Sequence, residues 1–359
     1  MTIADDLEAT RASLVMINPA PYNAEAPPAA LVGDITPTEL HYVRSNFAVP
    51  EHDGTLEVGG AVISPMTLTL DDLRAMPAIE RAVTLECAGN GRLAMKPLPV
   101  GEPWGDYAVS TARWKGASLS DVLERARPSA EGVEVRFDGA DHGAYHLLPV
   151  LTETNREDLT FVRSLPIGLA TDPASEILIA YEMNGESLGP DHGRPFRLIV
   201  PHWYAVASVK WLKQIEVLTE PYAGEFQTGH YMYEWSDGAP EPVDLMRVRA
   251  RITDPAPGTT LPAGTYTVRG KAWSGTGPIT AVDVGLTGEG EWQSAELDRP
   301  KGPYQWQDWS FDWRATVVGR HSLRARATDA AGNVQPEVPP WNRLGYGNNA
   351  TEVIYVDIR

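Results

Sequence analysis

An α+β unit followed by an all-β unit is the architecture these 359 residues predict, on three observations. Thirty-two glycines and 30 prolines imply many turns and short elements, not a helical bundle. Up to about residue 218, short strand-like and helix-like runs follow one another in no regular strand–helix–strand order, which favours α+β over a doubly wound sheet. From about Leu245 the character changes. Short alternating runs (Val248 to Ile252, Tyr266 to Ala272, Ala281 to Leu286, His321 to Ala327) are separated by turn clusters such as Asp254-Pro255-Ala256-Pro257-Gly258. That spacing predicts an antiparallel sandwich of immunoglobulin type, without the cysteine pair of antibody domains.

Residues 1–40 are broken by Pro19, Pro21, Pro27-Pro28 and Pro37 and predict an extended arm lying on the body. In residues 41–218, Tyr42 to Pro50 reads as a strand ending at proline, and Leu56-Glu57-Val58 with Ala61-Val62-Ile63 as a hairpin about Gly59-Gly60. Leu70 to Met76 predicts a short helix, with Asp71 and Asp72 in the first turn where carboxylates suit the helix dipole. Ser118 or Ser120 could cap a helix through Val122 and Leu123. Val133 to Phe137, Ile177 to Tyr181, Phe196 to Val200 and Val209 to Val217 predict strands, the second of them buried on both faces. Residues 219–244 are polar and aromatic without period, as expected of a linker between domains, and residues 245–359 form the sandwich. Six of the eleven tryptophans fall between Trp273 and Trp341, which suits core packing and leaves room for an aromatic self-association surface.

A formal charge of −18 disfavours nucleic acid and anionic membrane as partners, because the long-range field has the wrong sign. A small anionic substrate would therefore need cations focused at one site. The single cysteine excludes a disulfide scaffold and zinc ribbons. No run approaches the roughly 18 apolar residues of a membrane span. The first residues lack the pattern of an export signal, so a cytoplasmic location is expected.

Several motifs imitate known chemistry. Gly89-x-Gly91-x-x-Ala94 resembles a dinucleotide turn, yet Pro97 and Pro99 forbid the helix whose N-terminus would meet pyrophosphate. Gly185-Glu186-Ser187-Leu188-Gly189 resembles a nucleophile elbow, but Pro190, Gly193 and Pro195 block the helix that should follow. His142-x-x-x-His146 spans a glycine loop with no third ligand nearby and no metalloprotease glutamate.

The stretch Thr84-Leu85-Glu86-Cys87-Ala88-Gly89-Asn90-Gly91-Arg92 reads as a short strand running into a small-residue turn. A cysteine there is either a buried, inert side chain or a soft metal ligand beside which small residues admit a bulky cofactor. Its Cys-Ala-Gly-Asn core resembles the molybdenum-cysteine segment of the sulfite oxidase family. So do Tyr42-Val43-Arg44-Ser45-Asn46, Ala180 to Gly185, Asp191-His192-Gly193-Arg194-Pro195-Phe196-Arg197 and Ser208-Val209-Lys210-Trp211-Leu212, in family order. Residues 245 to 359 resemble the family's dimerisation domain, including Asn333 to Glu337 and Trp341-Asn342.

The resemblance implies molybdenum held by a pyranopterin (molybdopterin) with Cys87 as the protein thiolate. It places cofactor contacts at Tyr42, Val43, Arg44, Ser45, Asn46, Asp141, His192, Arg197, Ser208, Val209 and Lys210. It places the substrate pocket at Arg44, Arg92, Trp104 and Tyr231, the last drawn from the linker. A buried pterin phosphate wants Arg and Lys donors, and a sulfite dianion wants fixed guanidinium groups. The implied activity is oxidation of sulfite to sulfate, with electrons passed to a separate acceptor (oxygen, a cytochrome or another carrier), in a homodimer. No Cys-x-x-Cys-His haem site is possible with one cysteine, so the chain is expected to carry no haem or flavin module of its own. Asn46 stands where many relatives have histidine, Gly91 where they have the first of two arginines, and Arg343 lies one position before a further substrate arginine. The alternatives are a reductase of nitrate or another oxyanion on the same centre, or an inactive cofactor-binding relative.

Overall fold

The computed structural model describes residues 11–145, 156–236, 238–286 and 292–359. The arm forms a hairpin, Val15–Pro19 against Tyr22–Glu25, and docks through a bridge between Ala24 and Val43. The body behind it has two five-stranded sheets. One runs Glu186–Ser187, Leu178–Met183, Val109–Ser118, Ala78–Glu86, with Arg197–Ile199 also paired to Leu178–Met183. The other runs Met66–Thr69, Thr55–Gly60, Leu212–Leu218, Glu134–Tyr145, Arg156–Pro166, parallel where Thr55–Gly60 meets Leu212–Leu218. Leu178 to Tyr181 is buried throughout, as its unbroken apolar run predicts.

The helices are short. Leu70–Arg74 starts at a capping box in which the Thr69 and Asp72 side chains each serve the other's backbone N–H. Leu119–Ala126 buries Leu119, Val122, Leu123 and Ala126, one helical face at three- and four-residue spacing. Ser118 occupies its cap position, but the hydroxyl bonds Ser120 Oγ at 2.8 Å instead of capping.

Four expectations need correction. Tyr42 to Pro50 forms no strand beyond the single bridge of Val43 to Ala24; on either side of it the backbone is served by side chains, Tyr42 N–H by Ser110 Oγ (3.2 Å) and Ser45 N–H by Asn23 Oδ1 (2.8 Å). Thr55–Gly60 pairs with Met66–Thr69, not with Ala61 to Ile63, because Gly60 takes a left-handed conformation and leads the chain into a longer turn. The strand expected from Val209 starts at Leu212, since Trp211 has φ +48°. Residues 219–244 are not featureless: Glu225–Gly229 forms one helical turn, and Met232–Tyr233 pairs with Glu241–Pro242.

Beyond them, Arg249–Asp254, Gly264–Trp273, Gln307–Ala315 and Glu296–Leu297 form a four-stranded sheet. Thr260–Leu261, Val353–Ile358, Gly319–Asp329, Ile279–Leu286 and Trp292–Ser294 form a five-stranded one. Val268, Val284, Trp309, Leu323 and Val356 belong to the core they share. The pairing is antiparallel except where Thr260–Leu261 runs parallel to Val353–Ile358. Among the described residues no helix is long and apolar enough to cross a membrane.

Candidate active site

The strand Ala78–Glu86 delivers Cys87 at its end, where the Cys87 N–H donates to Ala108 O (2.9 Å). The chain then folds back tightly: Asn90 N–H reaches Cys87 O at 2.9 Å, and Asn90 Oδ1 accepts from Ala108 N–H at 3.1 Å. Gly89 leaves room for the Arg92 guanidinium, since a Cβ there would sit 2.7 Å from it and displace it. The small-residue run in the sequence is the sterics of this turn.

Cys87 lines a recess of about 660 Å³ of atom-free space, counting its open mouth. Around it stand Tyr42 to Asn46, Asp141, His192, Arg197, Ser208, Lys210 and Tyr231, drawn from segments distant in sequence. Lys210 Nζ donates to Ser45 Oγ (2.7 Å) and Asp191 O (2.9 Å). Arg197 donates to His192 O (3.2 Å) and Ser208 O (3.0 Å), its guanidinium 4.9 Å from the Trp114 ring centre. Arg44 donates to Asn46 Oδ1 (2.5 Å), and Asn46 Nδ2 meets the Tyr231 hydroxyl at 3.4 Å. Gly193, at φ +97°, lets these cations converge; a Cβ there would lie 3.0 Å from Lys210 Cβ and 3.1 Å from Arg197 Cβ.

Three expected residues lie outside this lining. Arg92 is buried behind the turn, donating to Glu102 O (2.6 Å) and Leu344 O (3.0 Å). Its charge still reaches the Cys87 sulfur, helping to lower that thiol's pKa. Trp104 is fully buried in the core beside the turn, its carbonyl accepting from Leu93 N–H at 3.0 Å. Val209 is a spacer whose carbonyl accepts from Leu198 N–H (2.8 Å) while Ser208 and Lys210 flank it.

The recess is cationic and dry. Burial, then Arg197 and Lys210, push His192 down to about 3, so its imidazole is neutral. Burial brings Arg197 down to about 10. Burial and Arg197 lower Lys210 against the pull of Asp191 and Asp141, while burial raises Asp141 against Lys210 and Arg44. Burial also raises the Cys87 thiol, opposed by Arg44 and the Gly89 N–H.

These residues fit an anionic, metal-bearing cofactor. Arg197 Nε, Asp141 Oδ1 and His41 Nε2 are buried on the recess with no hydrogen-bond partner among the described residues. Crowded, desolvated cations need an anion such as a phosphate, and the Asp141 carboxyl can accept from ring N–H groups. Among the described residues no three His, Cys, Asp or Glu side chains gather to hold a metal.

Sequence reasoning missed His41, which stacks on Tyr42 with ring centres 5.1 Å apart and meets His192 edge-on at 5.2 Å. It also missed Arg11 of the arm, bonded to Asp191 through both oxygens at 2.8 and 2.7 Å. His41 adjoins a segment already singled out; nothing local marks Arg11. Of the imitative motifs, Ser187 is exposed in a two-residue strand, and His142 meets Asp158 at 2.8 Å, while His146 lies outside the described residues.

Comparison with known proteins agrees with this geometry. The profile described as "Oxidoreductase molybdopterin binding domain" matches residues 46–226, and that described as "Mo-co oxidoreductase dimerisation domain" matches 241–357. Human mitochondrial sulfite oxidase is 36% identical over 94% of this chain and 64% of its own length, so the chain spans about two thirds of that relative. Sulfite oxidase of Gallus gallus is 35% identical over 90% of this chain and 74% of its own. Nitrate reductase [NADH] 1 of Oryza sativa subsp. japonica is 36% identical over 94% of this chain and 40% of its own. The crystal structure of the sulfane dehydrogenase SoxCD from Paracoccus pantotrophus superposes with a TM-score of 0.81 at 26% identity, covering 99% of this chain and 90% of that one. A cysteine turn facing a buried cationic recess, with two matching domain profiles and relatives at 35–36% identity over at least nine tenths of this chain, makes the chain a member of the sulfite oxidase family of molybdopterin-dependent oxidoreductases, built around a molybdenum–molybdopterin cofactor.

Proposed function

We propose that this protein oxidises sulfite to sulfate and passes the electrons to a separate acceptor. The observation that carries the reading is the single recess in which Cys87, Arg44 and Tyr231 face one another. The cofactor, when bound, supplies two-electron oxygen-atom transfer; the protein supplies ligation, field and exclusion of water. Cys87 holds the metal, while Arg197, Lys210, His192, Ser208, Asp141 and the Tyr42–Asn46 segment hold the pterin. The Arg44 guanidinium draws the sulfite dianion into an otherwise acidic molecule, and Arg92 adds charge from behind the turn. The Tyr231 hydroxyl, oriented by Asn46, donates to a substrate oxygen. Trp104 keeps the back of the turn dry without touching substrate.

We further place the domain boundaries at residues 41–218 and 245–359, assign the latter to the immunoglobulin type, and infer a homodimer formed through it. The second reading, reduction of nitrate or another oxyanion, draws support from the rice nitrate reductase at the same identity as human sulfite oxidase. Steady-state turnover of the purified, molybdenum-loaded protein decides between them. Sulfite-dependent reduction of an added acceptor, with negligible nitrate reduction, is expected. Nitrate turnover in its place overturns the reading, and turnover of neither substrate leaves an inactive cofactor-binding relative.

A further inference from the structure

Cys87 lies where the two units meet, and its neighbours on both sides are held by the C-terminal one. Glu86 is buried, and its Oε1 accepts from Arg249 Nη1 (3.0 Å) and Asn90 Nδ2 (2.8 Å). Its Oε2 accepts from the Trp273 indole N–H at 2.9 Å. Arg249 also donates to Asn348 O (3.0 Å) and Asp106 Oδ1 (2.7 Å), and Arg251 bridges Asp106 to Glu352 (3.2 and 2.9 Å). Past the cysteine, Gly347 N–H donates to Ala88 O (2.7 Å), Asn348 Nδ2 to Gly91 O (2.6 Å), and Arg92 Nε to Leu344 O (3.0 Å). The turn is therefore tied before and after its sulfur to strands and loops of the C-terminal unit, with Trp273 and Leu344 packed in the same core as Cys87.

We propose that the C-terminal β unit braces the metal site from behind the Cys87 turn: Glu86 is a positioning residue that fixes where the Cys87 sulfur points, with Arg249 and Trp273 as its anchors. A buried carboxylate tolerates little displacement from its donors, because moving away leaves an unpaired charge in a dry interior. Groups that orient a metal ligand from outside the coordination sphere tune its affinity, and losing one typically costs roughly 10–100-fold. Gly347 and Asn348 serve the same purpose for the backbone after the cysteine. This inference rests on Cys87 as the cofactor's thiolate and is independent of which oxyanion reacts.

The test compares two tryptophan variants of the loaded full chain. Trp273→Phe deletes one donor to Glu86. Trp306→Phe deletes a similarly buried indole N–H, which donates to Asp34 O (3.0 Å) and not to Glu86, and keeps the backbone N–H that bonds Thr84 Oγ1 (2.8 Å). Molybdenum retained per chain during chelator challenge, the thiolate-to-metal charge-transfer absorption and the melting temperature are read for each. Trp273→Phe should lose metal about tenfold faster than wild type, within the roughly 10–100-fold range for such supports, and shift the absorption band. Trp306→Phe should lower the melting temperature and leave metal loss and the band alone. Arg249→Met should exceed Trp273→Phe, and Arg249→Lys should recover part of the loss by keeping a cation on Glu86. If Arg249→Met does not fold, the tryptophan pair decides alone. Equal metal retention and an unmoved band in Trp273→Phe, or equal perturbation by Trp306→Phe, overturns the inference. A wild type that holds molybdenum but ignores sulfite would remove the proposed substrate and leave this inference standing.

Discussion

Glu25 is a carboxyl whose replacement should stabilise the protein, and only at high pH. It ends the strand Tyr22–Glu25, almost fully buried, and Gly105 lets it in: a Cβ there would lie 2.9 Å from Glu25 Oε2. The backbone N–H groups of Tyr107 and Gly105 serve the carboxylate, Oε1 has no partner among the described residues, and Asp106 adds like charge that Arg251 offsets in part. Burial dominates and raises the group from 4.5 to about 7. The native state thus keeps a proton that the unfolded chain has lost. Because the folded value is raised, stability falls as pH climbs through the window between the two values. Integrating from about pH 5 to about pH 8 gives a loss of about 2.5 kcal/mol from this one group. Glu25→Gln keeps the shape and removes the titration. Urea unfolding of both proteins at those two pH values should show the variant's advantage growing by about 2.5 kcal/mol at the higher one. An advantage that stays constant within about 0.5 kcal/mol, or shrinks, refutes the account.

His192 should act with the opposite sign. Its folded value near 3 lies below the ordinary 6.5, so cofactor-free protein loses stability as pH falls below about 6.5, by about 2 kcal/mol at pH 5, and His192→Asn should flatten that slope in urea titrations. Cys87→Ser should fold, with unchanged far-ultraviolet circular dichroism, and show no sulfite oxidation; normal turnover would dismiss the thiolate role. Arg44→Met should keep its molybdenum, measured by elemental analysis, and lose roughly 10–100-fold in kcat/KM for sulfite, the worth of a charge-assisted hydrogen bond. Arg92→Met should raise the sulfite KM by less than Arg44→Met does, since Arg92 acts from behind the turn.

Local physics made much of this legible in sequence. The Cys87 turn showed itself through its small residues, and Leu178 to Tyr181 through an unbroken apolar run. Helix Leu70–Arg74 was visible in its acidic first turn. What escaped was non-local. Tyr42 to Pro50 reads as a strand ending at proline, yet beyond the bridge of Val43 to Ala24 its backbone is met by the side chains of Asn23 and Ser110, distant in sequence. Arg11 meets Asp191 across 180 positions. Glu86 carried no mark of its own, because its importance comes from Arg249 and Trp273, more than 160 positions away in sequence. Arg92 and Trp104 were placed by motif at the recess, whereas sterics behind Gly89 and Gly101 put the guanidinium on the far side.

One sulfhydryl in 359 residues also makes the protein its own reporter. In the cofactor-free chain alkylating reagents have no competing thiol to find, so the label incorporated after denaturation counts chains, and any label taken up by the folded form counts openings of a single chamber. Ligation by molybdenum, as proposed, would mask that atom, and burial with a raised thiol pKa slows it when the metal is absent. The same gram of protein can therefore be titrated for occupancy and timed for breathing, with no cysteine engineered in or out.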